Sequence, residues 1–345
     1  EIGSGLVGSE MCIRDRYMGT EIFELEGNIN SDIFKSVLEK ISDEYEVFRT
    51  NVIYDKIDVP KSVVIDKRTI PFEFHKAVTD EEIKLLTYKI NAEQFEKGFD
   101  IQRDSLIRLD LIVGENSSVI IFSFHHILMD GYCAAMIADI IMKNYGKLLG
   151  RQIENDGEYV PFSAYQDWII IQDMSQSREY WHEYLKDISP VQPLELIQFG
   201  SDRKKDVGHS SLTVEFTPSE TKELLSAAAA GNATLYIYMQ WLWGITLCRN
   251  FSCDKAVFGT VVSYRPAEFS NAERVLGPMI NTVPVVFECS SDIKITEQLN
   301  AFRRSFLDSM EHSWIGLGEI SKAVEDCKNL IDHLFVCLLY TSDAA

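Results

Sequence analysis

Three things are scarce in this 345-residue chain, and each narrows what it can be. No apolar run approaches the roughly 20 residues that cross a bilayer as a helix, so no membrane span is expected. Positive charge is short: 33 Lys and Arg stand against 53 Asp and Glu, a formal charge of −20. A surface of that sign is repelled by phosphate backbones and anionic lipid, which argues against nucleic-acid and membrane-surface partners. The seven cysteines form no CxxC pair and no metal-ligand spacing. Cys133 and Cys248 fall in apolar, helix-like runs, the setting of buried free thiols in a reducing compartment, so a cytoplasmic protein is expected.

What is present is an ordinary globular composition, 46% apolar and 25% charged, in a chain comfortable for two domains. Residues 1–16 have neither helical nor strand periodicity, and "CLLYTSDAA" at 337–345 follows "DHLFV" without turn or cap logic. Both resemble translated sequencing-adapter tails and are expected to be non-native. Between them, "TEIFELEG" alternates like a strand. Ser31 then offers an N-cap to a helix whose Ile33, Phe34, Val37, Leu38 and Ile41 share a stripe. "RTNVIYD" and "KSVVIDK" read as paired strands, and Thr79 caps an amphipathic helix ending near Gly98. "SLIRLDLIVGENSSVIIFSFHHI" gives two strands about a turn, and a long helix follows Asp130.

The pattern predicts a mixed α/β fold with helices layered on a sheet. "SAYQDWIIIQDMSQSREYWHEYLKDI" reads as helical, and the Pro-, Gly- and charge-rich stretch 189–211 as the boundary between two halves. Beyond it, "SLTVEFTP" reads as a strand, followed by two helices, two strands bracketing a loop, and further helices. The expected organisation is an N-terminal lobe over 17–188 and a C-terminal lobe over 189–336.

The chemistry concentrates in "SFHHILMDGYC", residues 123–133. Val119 to Phe124 is apolar on both faces, as in an interior strand. His125 and His126 therefore point to opposite sides, and only one can face a given cleft. A histidine ending a buried strand stays neutral near pH 7 because desolvation disfavours its charged form, the state a general base needs. Asp130 suits an N-cap, and Gly131 permits a sharp turn or close approach. No metal site is expected from neighbouring strand positions that diverge.

His-His-x₃-Asp-Gly resembles the signature of nonribosomal peptide synthetase condensation domains, within the chloramphenicol-acetyltransferase-like acyltransferases. Other segments agree in order: "YEVFRTNV" with Arg49 and Thr50, "FDIQRDSLIRLDLI", "FSAYQDWIIIQ", and "GTVVSYRPAE…VLGPMINTVPVV" with Arg265, Gly277, Asn281, Thr282 and Pro284. Together they cover about residues 17–336. The family's opening segment and its closing strand are missing, and "DGYC" stands for the commoner "DGWS".

The resemblance implies two lobes forming a V with a tunnel between them. It implies amide bond formation between a carrier-bound acyl or aminoacyl thioester and a carrier-bound aminoacyl amine. His126 would be catalytic, with His125, Asp130, Gly131, Arg265 and Arg49 supporting it; Tyr132 and Asn281 would line the substrate path. Asp130 would pair with an arginine, Arg265 first and Arg49 second. The domain would bind no cofactor of its own, phosphopantetheine being presented by carrier domains beside an adenylation domain, and would be monomeric. A stand-alone O- or N-acyltransferase, or a degenerate member that only recruits partners, are the competing readings; truncation also raises the prospect of an inactive fragment.

Overall fold

The structure, a computed structural model, describes residues 17–153, 157–188, 212–290, 292–324 and 330–336. The suspected tails and the 189–211 link lie outside them. The chain forms two compact units, one of residues up to 172 together with 265–280, the other of 173–264 together with 281 onward.

The first unit is built on a four-stranded sheet of β1 (Met18–Glu26), β4 (Phe72–Lys76), β5 (Ile107–Val113) and β6 (Ser117–His125), in the order β1-β6-β5-β4. β6 runs antiparallel to both neighbours, and β4 lies parallel to β5. Alternation assigns the faces. Ile107, Leu109, Leu111, Ile120, Phe122 and Phe124 join one core with helices α1 (Ser31–Glu44) and α3 (Gly131–Leu148). Ile112, Val119 and Ile121 pack on the opposite side beneath α2 (Asp80–Lys97). β2 (Thr50–Ile53) and β3 (Lys61–Val64) form the expected antiparallel pair. The N-cap of α1 is Asn30, one residue before the predicted Ser31: its side chain accepts from the N–H of Asp32 and Ile33. Thr79 caps α2 as read, and Gly98 closes it at φ 55°.

Strand β4 was not signalled, because it is a short edge strand just after Pro71 with little alternation in burial. Nor was the pairing of β7 (Val160–Pro161) with β9 (Val275–Leu276), two residues each and over a hundred positions apart. The single helical stretch predicted from Ser163 is two helices, α4 (Phe162–Ile170) and α5 (Ser175–Leu185). Between them the Asp173 carboxylate accepts from the backbone N–H and the hydroxyl of Ser175. Trp181 and Leu185 then bury in the second unit's core, so the division falls at 172, ahead of the composition change at 189.

The second unit carries α6 (Pro218–Ala230), α7 (Leu235–Phe251), β8 (Lys255–Ser263), β10 (Ile280–Glu288), α8 (Ile295–Glu311), α9 (Leu317–Ser321) and β11 (Leu334–Phe335). Among the described residues its strands order β10-β8-β11. The strand expected at "SLTVEFTP" does not form over residues 212–217. Leu212, Val214 and Phe216 alternate, but all three are exposed, and among the described residues no strand lies beside the run to complete a ladder. Thr217 instead starts α6 with a reciprocal capping box to Glu220.

Helix α7 meets β10 at a glycine. A Cβ on Gly244 would sit 2.2 Å from Cγ of Phe287, whose side chain is fully buried. Alanine gains about 1 kcal/mol of helix propensity there, whereas forcing atoms into a packed core costs about 1–3 kcal/mol. Gly244→Ala is therefore expected to lower the urea unfolding midpoint, and an unchanged or raised midpoint would show that Phe287 yields.

Candidate active site

Strand β6 ends at His125, the chain then turns, and α3 begins at Gly131. Asp130 is the N-cap and is almost wholly buried. Its Oδ1 accepts from the Cys133 N–H at 3.1 Å. Its Oδ2 accepts from the Met279 N–H at 3.0 Å and faces Nη2 of Arg265 at 3.4 Å. One carboxylate thus caps the helix and ties the 265–280 segment to it. Arg265 also donates to the Ala272 carbonyl at 2.8 Å, and its guanidinium lies 4.4 Å from the centre of the half-exposed Tyr132 ring. Cys133 adds a third tie, its thiol donating to the Gly277 carbonyl at 3.1 Å. Burial raises that thiol's pKa to about 12, so it stays a protonated donor. Gly277 itself must lack a side chain, since a Cβ would meet the Phe162 ring at 2.2 Å.

The two histidines have different environments. His125 has Phe99 edge-on at 6.2 Å, and its Nδ1 accepts from the Ile127 N–H at 3.1 Å. Burial, helped by the neighbouring His126, lowers its pKa to about 4. His126 continues the face of Phe122 and Phe124. Its backbone N–H donates to the Tyr17 carbonyl at 2.7 Å, and its ring stands edge-to-face against Phe124 at 5.1 Å. Its Nδ1 is buried without a hydrogen-bond partner among the described residues. Burial pulls its pKa below the ordinary value, against the opposing pull of the Met129 backbone and the Asp130 carboxylate. Its resting form at pH 7 is a neutral imidazole, with a nitrogen able to accept a proton.

The structure brings His126, Asp130, Gly131, Tyr132 and Arg265 together. Arg49 is elsewhere: its guanidinium donates to the carbonyls of Ser42 and Ile65 at 2.7 Å each, and to those of Asp66 and Asp43 at longer range, tying α1 to the residues that follow β3. Asn281 belongs to the second unit, where its amide donates to Ser313 and Ile315 carbonyls at 2.7 and 2.6 Å and accepts from the Thr282 N–H. The contribution of Met279 had no sequence signal, because the donor is a backbone N–H.

One cluster of potential metal ligands occurs among the described residues, Glu73, His75 and Asp110, assembled by the β4–β5 pairing. Its buried carboxylate is already engaged, accepting from His75 Nε2 and from Gln94 Nε2 at 3.0 Å each, while Gln94 accepts from Arg108. That is a satisfied network beneath α2. Two surface clefts, about 790 Å³ between α5 and α8 and about 550 Å³ beside the C-terminal ends of α1 and α3, contain neither His126, Asp130 nor Arg265.

The mixed α/β fold is the chloramphenicol-acetyltransferase-like one. The chain belongs to the condensation domain family, acyltransferases that form peptide bonds; the family's model, described as "Condensation domain", matches residues 14–343. It is 32% identical over 327 residues to a plipastatin synthase of Bacillus subtilis (strain 168), covering 93% of this chain and 13% of that one. It is 30% identical over 322 residues to gramicidin S synthase 2 of Brevibacillus brevis, covering 90% and 7%. The chain therefore spans a small fraction of these relatives' length. Among solved structures, the first condensation domain of the calcium-dependent antibiotic synthetase, in complex with a substrate analogue, superposes with a TM-score of 0.74. That likeness covers 97% of this chain and 78% of that one at 14% identity, and concerns the fold. No helix among the described residues is long and apolar enough to cross a membrane.

The His125 environment makes stability pH-dependent. An unfolded chain protonates this imidazole near its ordinary value of 6.5, while the folded protein resists until about pH 4. The unfolded state binds the extra proton in that window, so stability falls as the pH drops through it, by about 3 kcal/mol at about 1.4 kcal/mol per pH unit. His125→Asn keeps an acceptor for the Ile127 N–H and removes the proton site. Urea unfolding at pH 7 and pH 4.5 is expected to show a markedly smaller acid loss in the variant; an equal loss would place the acid sensitivity elsewhere.

Proposed function

We propose that this chain forms amide bonds in nonribosomal peptide synthesis, joining a carrier-bound acyl or aminoacyl thioester to a carrier-bound aminoacyl amine. The supporting observation is the placement of the His126 imidazole, its Nδ1 buried, at the Asp130-capped junction, where burial lowers its pKa. The two compact units are the two lobes in this reading, carrier and adenylation domains are the partners, and the cytoplasm is the site of action. Phosphopantetheine enters on the carriers as part of both substrates.

The acceptor nitrogen attacks the thioester carbonyl. His126 takes the proton released from that nitrogen, or accepts a hydrogen bond from the ammonium of the zwitterionic tetrahedral species until that proton passes to the leaving thiolate. Collapse expels the donor's thiolate, which takes up the proton, so an N–C bond forms, a C–S bond breaks and the imidazole returns neutral. The N–H of Gly131, first of α3 and outside the helix's internal bonding, is the candidate donor to the oxyanion. Asp130 and Arg265 act on the junction, not on substrate. Tyr132, half-exposed and held by Arg265, is the candidate substrate-contacting side chain. Asn281 supports the fold of its own unit.

The test is dipeptidyl thioester formation by a full synthetase bearing this domain, supplied with loaded carriers. His126→Ala is expected to slow the reaction by about 10²–10⁴-fold, the usual worth of positioned proton transfer. Because the imidazole's pKa is depressed, the wild-type rate is expected to hold at neutral pH and to fall only below about 6.5, the ordinary histidine value. The variant should lack that acid limb. Wild-type turnover in His126→Ala would contradict the assignment and favour a domain that only recruits partners; turnover with a hydroxyl acceptor alone would favour an ester-forming enzyme.

A further inference from the structure

His126 has no carboxylate behind it to fix the plane of its ring. Its Nδ1 makes no hydrogen bond among the described residues, and the Asp130 carboxylate is committed to Cys133, Met279 and Arg265. What packs on the imidazole is Phe124, two residues back on the same face of β6, edge-to-face at 5.1 Å and 80°. Phe124 is itself held from two sides. Phe122 lies 5.4 Å away at 32°, and Gly19 sits directly opposite on β1. A Cβ on Gly19 would fall 2.5 Å from Cζ and 2.9 Å from Cε2 of the Phe124 ring. The ring therefore covers the bare glycine backbone, a place it can occupy only because position 19 has no side chain.

We propose that Phe124, seated on Gly19, is the positioning residue that orients the His126 imidazole. Phe124 is 1% exposed and buried from solvent, so its effect passes through the imidazole. Two consequences follow from the contact. The ring fixes where the accepting nitrogen points, which governs rate because a misplacement of about 1 Å costs up to about 100-fold. The ring also excludes water from the imidazole and so supplies part of the burial that keeps it neutral. The other groups acting on that titration are the Met129 backbone, through a hydrogen bond to the ring, and the Asp130 carboxylate, both of which favour the charged form.

The test has an arm independent of catalysis and an arm that rests on the proposed function. In this chain, ring ¹⁵N and ¹³C shifts of His126 are followed through a pH titration in the wild type, Phe124→Leu and Phe124→Met. Both variants keep apolar volume and lose the aromatic edge, so if one fails to give a native melt the other carries the comparison. The His126 titration is expected to move toward the ordinary histidine value, with altered tautomer shifts. In the full synthetase with loaded carriers, the same variants are expected to lose about 10- to 100-fold in kcat with KM little changed, and the acid limb of the rate profile should move up in pH. Gly19→Ala is expected to lower stability by driving the ring from its seat. The double variant Gly19→Ala/Phe124→Leu, whose shorter side chain accommodates the new methyl, should regain stability but not kcat. A merely structural Phe124 would let kcat return with stability. A folded Phe124 variant with wild-type His126 titration and wild-type kcat overturns the proposal. If His126→Ala keeps full turnover while Phe124→Leu still shifts the His126 titration, the catalytic reading falls and the positioning stands.

Discussion

The Asp130 carboxylate is the constraint on which the site depends. It is buried, it caps α3, and its second oxygen meets a backbone N–H and a guanidinium from the 265–280 segment. A charge so buried is tolerated only when its lone pairs are met, and here they are met by parts of the chain 3 and about 140 residues away. The consequence is local rigidity at a turn. The strand–helix junction is closed from the helix side by the cap and from the outside by Arg265, so the residues from His126 to Asp130 have little freedom. His126 therefore arrives at a defined place without a carboxylate partner of its own.

That arrangement differs from a hydrolase triad, in which a carboxylate bonds the imidazole, orients it and stabilises its cation. Here the carboxylate acts on the frame and aromatic packing acts on the ring. A base without a carboxylate behind it is weaker, and burial weakens it further. For an amine acceptor this is no handicap: the nitrogen becomes acidic only once it has attacked, so a modest base that stays unprotonated at pH 7 is better matched than a strong one already carrying a proton. The tandem histidines divide the work along strand geometry. His125 turns to the opposite face and spends its Nδ1 on the Ile127 N–H, whereas the Nδ1 of His126 is left without such a duty.

Much of this was legible in the sequence, and the exceptions have physical causes. The interior strand, the alternating histidines, the Asp130 cap and the helix from Gly131 all lie in one short stretch where period and capping chemistry speak directly. The Asp130–Arg265 contact spans 135 residues, and only the family resemblance pointed to it, with Arg49 as the alternative. Arg49 proved to have backbone carbonyls for partners, which no side-chain pattern announces. Edge strand β4 and the two-residue β7–β9 pair are too short for periodicity to register, while residues 212–217 alternate well yet have no strand beside them among the described residues. Alternation reports the capacity to pair; pairing itself needs a neighbour that local sequence does not show. The Gly19–Phe124–His126 stack was invisible for a related reason. A glycine in a strand is read as a weakness until the aromatic ring that covers it is known.

The most direct test of this account is a double-mutant cycle on Asp130→Asn and Arg265→Met, read by denaturant unfolding of the domain. If one buried carboxylate organises the junction through the guanidinium, the two losses should overlap, with a coupling of about 1–3 kcal/mol. Losses that add to within about 0.5 kcal/mol would mean that the two residues act independently. The frame holding His126 would then have to be sought in the helix cap and the Met279 N–H alone.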